Sequence, residues 1–314
     1  MRQRTLGRTG IPVDAVTVGT SSLGRGTIAG SAGETAAVAT ALAFLAGPFA
    51  VIDTANEYAG GRSETVLGLA RAAAASEPVA RVFTKVDRDP ETGRFDRDRV
   101  MRSFEESCER LGVDTVDVLH LHDPYSVTFS DAMSAGGAVE ALRELRDAGR
   151  ASAIGIAAGP IPLMTAYADT GAFDVLLSHN RFTLVDRSAQ PLFELARARG
   201  MGVFNAAPFG AGVLATGARP GASYGYRPAG AELIAWVGRV ERICADFGVS
   251  LQATALQFSL RSPLVDSTVV GVSSAHRLDE LVELARTPVP DEVWPRIEEE
   301  GPAPTTIDDG EATA

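Results

Sequence analysis

Cysteine is nearly missing from this chain: Cys108 and Cys244 stand alone among 314 residues. Two distant thiols cannot build a disulfide framework or supply a thiolate metal site, so the reducing cytoplasm is the expected compartment. Long apolar runs are missing too. The longest, 41–52, is too short to span a bilayer and is broken by Gly47-Pro48, and the opening MRQRTLGRTG has no apolar core of an export signal. No membrane association is expected. Basic residues are in deficit, 29 Lys and Arg against 40 Asp and Glu, and a net charge of −11 argues against nucleic acid as a partner. Apolar content is ample: 45% hydrophobic against 22% charged residues is enough for a large core and too much for a disordered chain.

The length suits either two ordinary domains or one large closed barrel, and the order of the elements decides. Short β-branched or apolar runs at 15–19, 50–53, 81–85, 116–121, 153–156, 175–178, 203–206 and 267–270 read as strands. Amphipathic segments at 34–45, 63–75, 97–111, 138–148, 162–170, 189–199, 232–247 and 278–285 alternate with them as helices. In 97–111, Val100, Phe104, Cys108 and Leu111 recur at steps of three or four and form one apolar stripe. Eight strand–helix pairs without a Pro/Ser-rich linker predict an α/β fold, a single (β/α)8 TIM barrel over 1–301. A hairpin over 4–13 is expected across the bottom of the barrel, and 210–230, rich in Gly, Ala and Tyr, is a candidate loop over the site. The segment 302–314, rich in Pro, Thr and acid with little to bury, is expected to be a mobile tail.

Catalytic groups in such barrels project from the C-terminal ends of the strands. Strand two ends in Asp53 and leads to Tyr58, strand three ends in Lys85, and strand four ends in His122. A lysine beside a tyrosine hydroxyl favours the phenolate, so Lys85, paired with Asp53, is expected to lower the pKa of Tyr58 from about 10. His122 would orient a substrate oxygen. Each residue alone could be structural; four on successive strand ends make a general acid/base device for carbinol–carbonyl chemistry. His120 and His122, two apart on one strand, share a face that zinc could use, but no third ligand is evident. No metal is expected, and His120 is read as a hydrogen-bonded core residue beneath His122. His179 reads equally well as a rim residue or a surface histidine.

At these residues the sequence resembles the aldo-keto reductase superfamily. Arg4 to Gly10 (RTLGRTG) is similar to its opening motif, Asp53 to Tyr58 (DTANEY) with Gly60 to Gly68 (GGRSETVLG) to its second, Lys85 to its strand-three lysine, and Val116 to Pro124 (VDVLHLHDP) to its strand-four motif. The resemblance implies the catalytic tetrad Asp53, Tyr58, Lys85 and His122, and a nicotinamide cofactor, NAD or NADP, bound without a Rossmann domain. It places Gly19, Thr20 and Asn180 on the cofactor track, followed by Pro208, Phe209, Gly210, Gly212 and Leu214 over the pyrophosphate. Gly271, Ser273 and Arg277 fall at the adenosine end. Backbone N–H groups of glycine loops and helix N-termini suit such phosphates. Three positions depart from the general pattern: Ala157-Ala158 stands where Ser-Asn is usual, Asn205-Ala206 where an aromatic stacks on nicotinamide, and Leu281 where an asparagine contacts adenine.

Segments 173–189 and 203–217 are similar to a subgroup of aldose 1-dehydrogenases, L-galactose dehydrogenase and pyridoxal 4-dehydrogenase. That subgroup implies NAD(P)-dependent oxidation of a cyclic hemiacetal, an aldose at C1, to a lactone, with Tyr58 as phenolate base. An NADPH-dependent aldehyde or ketone reductase and a cofactor-binding redox sensor with little turnover are the alternatives. The expected partner is a small sugar or other carbonyl compound; the oligomeric state and the cofactor preference stay open.

Overall fold

The computed structural model describes residues 3–75, 80–304, 307 and 309. Eight strands, β1 (Val16–Gly19), β2 (Val51–Asp53), β3 (Arg81–Val86), β4 (Val116–His122), β5 (Ala151–Ala158), β6 (Val175–His179), β7 (Gly202–Ala206) and β8 (Ser267–Gly271), pair in parallel in chain order. β8 pairs with β7 on one side and with β1 on the other, which closes the (β/α)8 barrel. These strands are buried on both faces, as parallel strands under a layer of helices must be, and they therefore read as continuous apolar runs in the sequence.

Side chains two apart on a strand share a face, so each strand stacks its inward residues up the lumen. Val51, Phe83, Val118, Ala153, Val175, Phe204 and Val269 fill the lower lumen together with Leu6, Ile11 and Val13. Two residues above Val51 and Phe83 come Asp53 and Lys85; above Val118 come His120 and His122. The apolar floor thus gives way to an ionisable rim within one turn of the pleat.

The expected bottom hairpin is present, Gln3–Thr5 against Pro12–Asp14, antiparallel. Asp266 pins it: Oδ2 accepts from the N–H groups of Gly7 at 3.2 Å and Val203 at 3.0 Å, while Oδ1 binds Arg197 at 2.7 Å. The helix Arg97–Leu111 starts where the Asp96 carboxylate accepts from Arg99 N–H and stops at Gly112, φ +66°, with Val100, Phe104, Cys108 and Leu111 on its buried stripe.

Between β7 and β8 the sequence reading needs correction. It gave one long helix; the chain forms two, Ala231–Asp246 and Leu251–Leu260, besides a short one in the preceding loop, and the last lies against β8. The second helix buries Leu251, Ala253, Thr254, Ala255, Leu256, Ser259 and Leu260, so no polar face marks its period. The 210–230 loop carries a short helix, Val213–Thr216, and a two-residue pairing of Ser223–Tyr224 with Arg227–Pro228. Of the expected tail, residues 305, 306, 308 and 310–314 lie outside the described residues. Ile307 packs against the cluster around Tyr224 and Trp236, and Asp309 pairs with Arg181 and accepts from Ile161 N–H at 2.9 Å. Among the described residues no helix is long and apolar enough to cross a membrane.

Candidate active site

β2 ends at Asp53, and the chain folds back over the rim with two backbone bonds to β3, Thr54 N–H to Phe83 O at 2.9 Å and Asn56 N–H to Lys85 O at 3.1 Å. This fold-back brings Tyr58 over Lys85. The Lys85 ammonium has three protons and three acceptors: Asp53 Oδ2 at 2.7 Å, Thr54 O at 2.7 Å and Tyr58 OH at 3.0 Å. Burial pulls its pKa down, but the charges of Asp53 and Tyr58 and their hydrogen bonds outweigh it, so Lys85 stays a cation above the ordinary lysine value.

For Tyr58 the balance falls the other way. Burial pushes the phenol up to about 12; Lys85 draws it down, and Asp53 and Asp87 push it up again. The expectation of a phenol acidified below its ordinary value is therefore corrected: the lysine pulls as expected, and desolvation wins.

His122 stands edge-on to Tyr58, with ring centroids 5.5 Å apart. Its Nδ1 is 2.7 Å from Asp87 Oδ1, and its Nε2 is 3.9 Å from Asp123 Oδ2. Burial lowers its pKa, but the two carboxylates prevail and the imidazole ends above its ordinary value. His120 lies beneath it in the lumen. Burial pushes the His120 pKa far down, and neither ring nitrogen has a hydrogen-bond partner, contrary to the expectation of a hydrogen-bonded residue. Gly155 makes room for it, since a Cβ there would lie 2.2 Å from His120 Nδ1. No group of three potential metal ligands occurs among the described residues.

A cleft of about 600 Å³ opens above these groups, lined by Asp53, Tyr58, Lys85 and His122. Of the sequence-predicted cofactor residues, Gly19, Thr20, Pro208, Phe209, Gly212 and Gly271 line it. Ser273 and Arg277 line an adjoining pocket of about 1080 Å³ that shares Phe209, Ala215 and Gly271 with the cleft. Three expected residues are elsewhere. Leu214 is fully buried in the core around Trp236, and Gly210 is packed where a Cβ would strike the Tyr224 ring at 2.5 Å. Asn180 is buried and lines, with Tyr125 and Arg181, a cavity that adjoins the cleft and shares His179 and Tyr226 with it. Sequence reasoning missed Ser21, Arg25, Asp123, Leu177 and Tyr226 in the cleft wall and Asp87 behind His122. Asp123 was within reach, because it follows His122 directly and turns the chain with φ +42°. His179 is at the rim, its Nε2 3.9 Å from Asp123 Oδ1.

The joined cleft and pocket fit an extended nicotinamide nucleotide. Gly271 lines both spaces, and a Cβ added there would meet nothing within 4 Å. At the far end the helix Ala275–Arg286 begins, with Ser274 Oγ accepting from Arg277 N–H at 3.2 Å, and its N-terminus favours an anion. Arg277 is exposed there and paired with Glu280 at 2.6 Å. Ala157 and Ala206 line the cleft as short side chains where the general pattern has larger ones.

A family model described as the aldo/keto reductase family matches residues 15–301. The chain is 31% identical to a pyridoxal 4-dehydrogenase of Microbacterium luteolum over 95% of its own length and 97% of the relative's. It is 32% identical to an L-galactose dehydrogenase of Arabidopsis thaliana, covering 89% of this chain and 86% of that one. It is also 32% identical to a D-threo-aldose 1-dehydrogenase of a Pseudomonas species, covering 67% and 64%. Among solved structures, a holo-form aldo-keto reductase from Bacillus halodurans superposes with a TM-score of 0.76 over 96% of this chain and 97% of that one, at 22% identity, which shows the shared fold.

Proposed function

Because the chain belongs to the aldo/keto reductase family and is an NAD(P)-dependent oxidoreductase, we propose that it oxidises a cyclic hemiacetal, an aldose at C1, to the lactone. The observation that carries this reading is the Tyr58 hydroxyl, held at 3.0 Å by a lysine that Asp53 keeps charged, beside His122 in a cleft joined to a nucleotide-sized pocket. When bound, the nicotinamide ring supplies the hydride acceptor.

The chain's own groups hold the sugar and handle its proton. Tyr58, protonated at neutral pH, donates a hydrogen bond to the anomeric oxygen, and Lys85 fixes the direction of that bond. His122 faces the same oxygen from the other side. Asp123 and His179, beside His122 in the cleft wall, offer acceptors to ring hydroxyls, which suits a polyol better than a plain apolar aldehyde. The relatives named for L-galactose and D-threo-aldose support the same choice. The proposed cofactor-binding groups are Gly19, Thr20, Pro208, Phe209, Gly212, Gly271, Ser273 and Arg277, with both NAD and NADP accepted. The reducing cytoplasm is the proposed compartment, consistent with two buried, unpaired cysteines.

The test is a panel of free aldoses assayed for lactone formation with NAD⁺ and with NADP⁺, run beside aldehyde reduction with NADPH. Lactone formation well above aldehyde reduction supports the proposal; aldehyde reduction alone supports the reductase reading.

A further inference from the structure

Asn56 stands three residues after Asp53 and two before Tyr58, and it is 5% exposed. Its N–H ties it to β3 through the Lys85 carbonyl, and its own carbonyl accepts from Arg110 Nη1 at 2.9 Å. The side chain is held by the same outer helix, Arg97–Leu111. Oδ1 accepts from Arg99 Nη2 at 3.2 Å, and Nδ2 donates to Ser103 O at 3.0 Å, Glu106 Oε2 at 3.1 Å and Ser107 Oγ at 3.3 Å.

Those partners ask for one acceptor and one donor on the same short side chain, because Arg99 only donates and an ionised Glu106 only accepts. An amide supplies both. Burial raises the Glu106 pKa, but hydrogen bonds from Arg99 and Asn56 and the charges of Arg99 and Arg110 bring it below the ordinary value, so the carboxylate is ionised at neutral pH. Asn56→Asp would set two carboxylates against each other.

The helix also holds the turn at its other points. Arg99 Nε donates to the Asp87 carbonyl at 2.9 Å, and Asp87 Oδ2 accepts from Glu57 N–H at 2.8 Å. Arg110 Nη1 reaches Glu64 Oε2 at 3.2 Å, and its guanidinium fills the space at Gly61, φ +83°, where a Cβ would lie 2.5 Å from Cζ. Between these anchors Glu57, Tyr58, Ala59 and Gly60 are exposed or half-buried, and Ala59 keeps a left-handed backbone, φ +54°. A non-glycine residue keeps that conformation only where its surroundings impose it. The stretch carrying Tyr58 is therefore placed by its anchors more than by a core of its own.

We infer that Asn56 is a positioning residue: through its amide the helix Arg97–Leu111 sets where the Tyr58 hydroxyl stands over Lys85 and the substrate oxygen, and with it the rate of the chemical step. The inference rests on Tyr58 as the group that exchanges the substrate's proton in the proposed reaction, and not on which sugar is oxidised. Asn56, Arg99 and Glu106 are all outside the cleft wall, so they reach the reaction through Tyr58. A reacting group misplaced by about 1 Å loses on the order of 10²-fold in rate.

The test is single-turnover hydride transfer, followed by nicotinamide absorbance with the full chain in excess over nucleotide. It is run in whichever direction the chain catalyses, aldose oxidation with NAD⁺ or NADP⁺ or aldehyde reduction with NADPH. The rate constant then reads the folded molecules alone, and thermal unfolding and a nucleotide titration run beside it. Asn56→Asp should bind nucleotide as the wild type does and transfer hydride about tenfold or more slowly. Glu106→Gln turns an amide NH₂ toward the donors of Arg99 and Asn56 and should slow transfer about twofold or more. The two together rebuild the pair in the reverse sense, with the glutamine donating to the new carboxylate, and should be faster than Asn56→Asp alone. A purely structural role would lower thermal stability and leave the rate constants at the wild-type value, which overturns the inference. A double variant no faster than Asn56→Asp overturns it as well. Where Asn56→Asp does not fold, Glu106→Gln decides by the same rate constant. Should Tyr58→Phe transfer hydride at the wild-type rate, the reading of the site fails; should Tyr58→Phe be inert while Asn56→Asp is unaffected, only the role of Asn56 fails.

Discussion

Replacing Tyr58 by Phe keeps the ring against His122 and removes only the hydroxyl that Lys85 holds. Turnover should fall by roughly 10²-fold or more while nucleotide binding is retained, as read by steady-state kinetics beside a fluorescence titration of the cofactor. Lys85→Met acts on two levels. Its loss takes away the one pull that lowers the Tyr58 phenol, so the basic limb of the oxidation profile should move up. It also strands the Asp53 carboxylate in a buried site, at a cost of about 3–5 kcal/mol in urea unfolding. The raised Lys85 pKa means that the pair's contribution is fully present below the ordinary lysine range and is lost only in strong alkali. The stability gap between wild type and Lys85→Met should therefore be flat across neutral pH. The four catalytic candidates were legible because each puts an ionisable group at or just beyond the end of an apolar run. The acidity of Tyr58 was not, because it depends on how deeply the fold-back buries the phenol. Asp87 was equally hidden: in sequence it is one of four aspartates between Lys85 and Asp98, and only the folded chain turns it onto His122.

The strands and most helices could be read from the sequence because a parallel strand needs an unbroken apolar run and an outer helix needs one apolar stripe. Leu251–Leu260 escaped because a helix buried on most sides has no stripe, and its short link to Ala231–Asp246 carries only Gly248 as a break. The bottom hairpin was expected from its position more than from its own weak strand signal. Its glycines now separate into two kinds. Gly7, φ +48°, would carry a Cβ 2.2 Å from Gly202 N, whereas Gly10, φ +75°, faces open space. Gly7→Ala should cost roughly 2–4 kcal/mol through clash and strain together, and Gly10→Ala only the strain of about 1 kcal/mol. Denaturant unfolding of the two variants measures the difference, and equal losses would show that the hairpin does not seat against β7 as described.

A net charge of −11 gives the whole molecule no general attraction for a dinucleotide, so anion binding must come from local devices: the helix start at Ala275, the glycine at 271 and Arg277. Arg277 already shares its guanidinium with Glu280 and is exposed, so its preference for a 2′-phosphate should be modest. Arg277→Ala should weaken NADP⁺ more than NAD⁺ in paired titrations; equal losses would mean that it does not read the 2′-position. Family membership makes the chain an NAD(P)-dependent oxidoreductase, and the proposed choice of a sugar rests on Asp123 and His179 with the names of its relatives. The measurement that bears most directly on that choice is product analysis after incubation of the wild-type chain with free aldoses and NAD⁺ or NADP⁺. A lactone formed in step with reduced nicotinamide, and lost in Tyr58→Phe, is the expected result. No lactone from any aldose, alongside brisk NADPH-dependent reduction of simple aldehydes, would contradict it.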